Sequence, residues 1–89
     1  MKYAFRFTTT ARRQLRGIRR TDAMRILTAL TALGDDPYAE GHDVKKLVGT
    51  SDLYRLRVGS FRVAYRVDDG ALVVLVVTVG NRREVYRRT

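Results

Sequence analysis

The sequence predicts an α+β domain in which two N-terminal helices pack on one face of a small, mainly antiparallel sheet whose opposite face is open and basic. Three observations carry this. Leu53 to Val58 and Phe61 to Val67 alternate apolar and polar side chains, Ala71 to Val79 is almost wholly apolar, and the turn pairs Gly59-Ser60 and Asp69-Gly70 separate the three, which is the pattern of a three-strand meander. Two earlier stretches, Ala11 to Ile18 and Ala23 to Leu33, repeat apolar residues at helical spacing. Ahead of both, Lys2 to Phe7 alternates like a half-buried strand.

In chain order, Tyr3, Phe5 and Phe7 form one side of the first strand and Ala4 and Arg6 the other. Thr8 to Thr10 offer an N-cap for a first helix, whose apolar line is Ala11, Leu15 and Ile18 and whose outer side is Arg12, Arg13, Arg16, Arg19 and Arg20; Gly17 weakens it. Thr21 or Asp22 is expected to cap the second helix, with Ala23, Ile26, Leu27, Leu30 and Leu33 as its buried stripe and Gly34 and Pro37 as its end. Residues 35–52 read as a loop region that holds an acidic cluster and the segment Lys45-Lys46-Leu47-Val48-Gly49.

A two-residue loop at Gly59-Ser60 pairs Val58 with Phe61, Arg57 with Arg62, Leu56 with Val63 and Arg55 with Ala64. Arg55, Arg57, Arg62 and Arg66 then share one face, and Tyr54, Leu56, Val58, Phe61, Val63, Tyr65 and Val67 share the other. Continued through Asp69-Gly70, this register sets Val67 against Leu72 and Arg62 against Val77, and brings Val73, Leu75, Val77 and Val79 under the arginines. Arg57 directly opposite Arg62 is a repulsive pair, which a bound polyanion would relieve.

Eighty-nine residues make one domain with a modest core. The formal charge of +9 comes from 15 arginines and 3 lysines against 9 acids, a balance that attracts nucleic acid, anionic lipid or an acidic protein. With no cysteine and one histidine, a disulfide framework, a thiolate metal site and a Cys/His nucleophile are excluded or improbable. No glycine-rich phosphate loop is present, Asp68-Asp69 reads as turn chemistry, and His42 reads as a solvent-facing loop residue. No apolar run approaches the ~20 residues of a membrane helix, so a soluble, cytoplasmic protein is expected.

The strands LYRLRVGSFRVAYRV, followed by VVTVGNRREVY and preceded by two helices, the Pro37 break and KKLVG, resemble the RelE/ParE superfamily of bacterial toxins, specifically its RelE branch. The resemblance implies a metal-independent, cofactor-free endoribonuclease that enters the ribosomal A site and cuts mRNA through the ribose 2′-hydroxyl. It also implies an acidic, RelB-like antitoxin as partner. Family catalytic positions fall on Arg55, Arg57, Arg62, Arg82 and Tyr86, and Arg66, Arg83, Lys45, Lys46 and Arg87 are expected to contact RNA. Family members often carry lysine at Arg55 and Arg57 and histidine at Asn81, and arginine is a poor proton acceptor, so the general base stays open. Two other readings use the same fold: a ParE-like gyrase inhibitor, and an RNA-binding or decayed toxin that no longer cleaves.

Overall fold

The computed structural model describes residues 2–47 and 52–81. The element order is β1 (Ala4–Phe7), α1 (Thr9–Gly17), α2 (Arg20–Asp35), β2 (Val44–Lys46), β3 (Leu53–Val58), β4 (Phe61–Asp68) and β5 (Val73–Asn81). The sheet runs β1-β5-β4-β3-β2, antiparallel throughout except where β1 lies parallel to β5. This is the expected helices-on-sheet architecture. No helix among the described residues is long and apolar enough to cross a membrane.

Thr8 caps α1 as the sequence predicts, its Oγ1 accepting from the Ala11 amide at 3.0 Å. The α2 cap differs from expectation. That helix begins at Arg20 after Arg19 with no side-chain cap, and Asp22 sits inside the first turn, where its charge favours the helix dipole. The α2 stripe is also narrower than expected: Ile26, Leu30 and Leu33 are buried, but Leu27 lies on the flank at 39% exposure. The core joins these residues to Tyr3, Ala11, Leu56, Val63, Tyr65, Val74, Val76 and Val79.

Residues 44–46, read as loop, form the edge strand β2 against β3. The β3–β4 hairpin has the predicted register, Val58 to Phe61 through Arg55 to Ala64, with Gly59 at φ 60° supplying the left-handed turn residue. The β4–β5 register does not. The loop takes residues 69–72, so Val67 faces Val74 rather than Leu72, and a bulge skips Val77 between Tyr65↔Val76 and Ala64↔Thr78. One extra residue reverses the side-chain alternation beyond it. Val79 therefore points into the core opposite Val63, and Thr78 and Gly80 take the arginine face in place of Val77 and Val79.

Helix α1 holds the bulged segment in place. Thr8 Oγ1 donates to the Val77 carbonyl at 2.5 Å, the Thr8 amide donates to the Val76 carbonyl, and Gln14 Oε1 accepts from the Val79 amide at 2.6 Å. Backbone groups that the irregular ladder leaves unpaired are thus satisfied from the helix. The resulting twist decides what lies beneath Arg62.

Candidate functional site

Three cross-strand rows build the face opposite the helices. The first aligns Arg57, Arg62 and Gly80; the second Lys45, Arg55, Ala64 and Thr78; the third Leu53, Arg66, Leu75 and Arg6. Directly opposed residues have Cβ atoms about 4.5 to 5.5 Å apart, so Arg57 and Arg62 are close neighbours, as are Lys45 and Arg55. Lys46 pairs with Tyr54 and belongs to the helix-side face, so the structure separates the two lysines that the sequence grouped as RNA contacts.

Arg57 and Arg66 each lie against a carboxylate. Arg57 Nε donates to Asp43 Oδ2 at 2.5 Å, and its amide donates to the Asp43 carbonyl at 2.9 Å. Arg66 Nε lies 3.5 Å from Asp52 Oδ1. All four side chains are about half exposed, so each pair contributes at most about 1 kcal/mol and orients its arginine more than it stabilises the fold.

Arg62 departs from the expectation of an open, solvent-facing row. It is 5% exposed, Ala64 beside it 1% and Leu53 8%, so this face has a buried centre of its own. Gly80 lies opposite it, a consequence of the bulge. Arg62 Nη1 donates to the Phe61 carbonyl at 3.3 Å, but Nε is buried with no hydrogen-bond partner. A buried N–H left unpaired costs about 1 to 3 kcal/mol, and the Arg57 charge opposite adds to it. An anionic oxygen brought to Arg62 would satisfy both.

The described tyrosines stand off this face. Tyr54 and Tyr65 stack on the helix side with ring centroids 5.7 Å apart, and burial pushes the Tyr65 hydroxyl pKa far above its ordinary value. Tyr3 and Tyr38 donate to the two oxygens of Asp69 at 2.6 and 2.7 Å. These bonds hold the Asp69 carboxyl below its usual range, raise Tyr3, and push Tyr38 up to about 12. Asp68 behaves as turn chemistry, its Oδ1 accepting from the Ala71 amide. His42 is half-buried with Nε2 2.9 Å from the Asp36 carbonyl, on the helix side and away from the arginines.

Arg82, Arg83, Tyr86 and Arg87 lie outside the described residues. Among the described ones, the structure brings Arg55, Arg57, Arg62, Arg66 and Lys45 together. Sequence reasoning missed two members of this face. Asp43 lies within what the sequence shows only as the acidic cluster of residues 35–52, and Arg6 enters because β1 pairs parallel with β5 and sets Arg6 against Leu75. The alternation in Lys2 to Phe7 puts Arg6 opposite the apolar side, but only strand order shows which basic face it joins. The assembled set can neutralise an oligoanion; guanidiniums do not remove protons at neutral pH.

Comparison with known proteins bears on this arrangement. Residues 5–86 match the family model described as the ParE toxin of the type II toxin–antitoxin system parDE. The toxin RelG of Mycobacterium tuberculosis is 38% identical over 94 aligned positions, spanning 99% of this chain and all of the relative. The archaeal RelE–RelB complex from Pyrococcus horikoshii superposes with a TM-score of 0.78 at 30% identity, covering 93% of this chain and 98% of that one. Isolated E. coli RelE superposes at 0.76 and 29% identity, covering 97% and 93%. The chain therefore belongs to the RelE/ParE superfamily of type II toxin–antitoxin toxins, on its RelE-like branch.

Proposed function

We propose that this toxin is a ribosome-dependent, metal-independent endoribonuclease that cleaves mRNA in the A site by attack of a ribose 2′-hydroxyl on the adjacent phosphate. The observation that carries the reading is Arg62: a guanidinium at 5% exposure, with Nε unpartnered, beside Arg57 and two positions along the strand from the level of Arg55. A pentavalent phosphate concentrates negative charge on its non-bridging oxygens, and fixed donors at that point act on the transition state without reorganising. Arg55, Arg57 and Arg62 take this task, and Arg82 and Tyr86 act on the leaving oxygen and the neighbouring base. Arg66, Arg83, Lys45 and Arg87 hold flanking RNA, whereas Lys46 faces the helix side and takes no part in this row. The ribosome contributes by ordering the message so that attacking and leaving oxygens are in line, because the arginines supply no strong base.

The partner is an acidic antitoxin, in keeping with the RelE–RelB complexes among the structural relatives and with the charge of +9. Toeprinting on a translated message with purified toxin tests the reading. Cleavage within the A-site codon, with little cutting of naked RNA, is the expected result; equal cutting of both would refute it. One observation favours a second reading, since the matched family model is the ParE toxin of parDE. Inhibited gyrase supercoiling with intact message would establish that alternative, and A-site binding without cuts would identify a non-cleaving toxin.

A further inference from the structure

At the β1 end of the arginine face, a groove of about 600 Å³ is lined by Arg6 and Arg66, by Asp52, Asp68 and Asp69, and by a floor that includes Val73 and Leu75. Arg6, Leu75 and Arg66 form one cross-strand row, with Val73 and Asp68 in the next row on the same side. Val73 and Leu75 are only half-buried, which leaves aliphatic surface at the base of the groove. Arg6 makes no ion pair among the described residues.

The charge balance selects the ligand class. Two guanidiniums face three carboxylates, so a phosphate here would meet net repulsion, whereas a neutral planar ring would not. The aliphatic floor and the two flat guanidinium planes suit stacking of an unpaired nucleobase, the usual way single-stranded RNA is read. Most carboxylate oxygens are already engaged: Asp69 by two tyrosine hydroxyls, Asp52 by Arg66, and Asp68 Oδ1 by the Ala71 amide. Asp52 Oδ2 and Asp68 Oδ2 are left, and Asp68, which shares a row with Val73 of the aliphatic floor, is the one placed to accept a hydrogen bond from a base there.

We propose that this groove is a nucleobase subsite for the RNA substrate, in which Arg6 donates to the ring edge and Asp68 Oδ2 accepts from an exocyclic amine. The proposal rests on the endoribonuclease reading and deepens it. Arg62 and Arg66 are four residues apart on β4, about 13 Å at 3.3 Å per residue, so the base read here belongs to a nucleotide beyond those bonded to the scissile phosphate. Cytosine, adenine and guanine carry an amine that donates, and uracil presents a carbonyl in its place. The subsite therefore discriminates against uracil.

Two measurements test this on the intact toxin. In the first, translated messages are varied one position at a time around the cleavage site, and the ratio of cutting with cytosine to cutting with uracil is read at each position. Wild type is expected to favour cytosine about five- to tenfold at a single position, the worth of one exposed hydrogen bond. Arg6→Ala flattens the ratio. Asp68→Asn keeps the acceptor for the Ala71 amide but turns a donor toward the base, so the preference inverts toward uracil. Equal profiles for wild type and both variants would overturn the proposal, as would altered antitoxin binding with unaltered base preference, which would mark the groove as an antitoxin surface.

In the second, methyl NMR of Val73 and Leu75 is followed as short oligocytidylate or oligouridylate is added. Shifts with the former only support the subsite, and no difference rejects it. This reading stands without cleavage, so an inactive wild type would refute the enzymatic assignment while the titration still decides the subsite.

Discussion

Replacing Arg62 with methionine should separate the demands of folding from those of catalysis. The side chain is 5% exposed, its Nε has no partner, and its strand neighbour is Arg57. Methionine keeps most of the buried stem while removing an unsatisfied N–H, worth about 1 to 3 kcal/mol, and a like-charge contact worth about 0.2 to 1 kcal/mol. A gain of about 1 to 4 kcal/mol follows, and each kcal/mol raises the midpoint of a domain this size by about 4 to 8 °C. Alanine behaves differently: it also gives up about three buried methylene groups at about 0.8 kcal/mol each, which offsets the relief and leaves stability nearly unchanged. Both variants lose a transition-state contact of about 2 to 4 kcal/mol, a rate loss of about 30- to 1,000-fold. Urea denaturation gives the first quantity and toeprinting the second. Arg62→Met less stable than wild type by more than about 1 kcal/mol would refute the reasoning, because Arg62 would then be contributing to the fold it is argued to strain.

Leu30→Ala, at the middle of the buried α2 stripe, should cost about 2 to 5 kcal/mol in denaturation while cutting per folded molecule is unchanged. The tyrosine clamp on Asp69 predicts a pH dependence at both ends. Asp69 is depressed in the folded state, so its contribution is present above the ordinary carboxylate range and is lost as pH falls through its lowered value; Tyr38 is raised, so its contribution is full below about 10 and is lost as pH climbs toward about 12. In Asp69→Asn, both limbs of a stability–pH curve should flatten, and an unchanged curve would remove the clamp from the stability argument. Association with the proposed acidic antitoxin should be fast at low salt and slower as salt rises, since steering is screened beyond about 8 to 10 Å near physiological ionic strength; a stopped-flow rate indifferent to salt would point to a mainly apolar interface.

The sequence by itself determined the helices, the β3–β4 hairpin and its arginine row, because these depend on local signals. A Thr8 cap, an i, i+4, i+7 spacing through Ile26, Leu30 and Leu33, and a Gly59-Ser60 turn each act within a few residues. Tertiary structure decided the rest. The bulge at Val77 is specified by hydrogen bonds from Thr8 and Gln14, which lie more than sixty positions away, and no alternation pattern in β5 could announce it. That single offset turned Val79 inward and put Gly80 opposite Arg62, and Arg62 itself, expected to face solvent, is buried. The same holds for Arg6 and Asp43, whose places on the basic face follow from a parallel β1–β5 pairing and from the path of the chain into β2. Periodicity tells which side of its own strand a residue takes; only strand order and register, set by long-range packing, tell which other charges share that side.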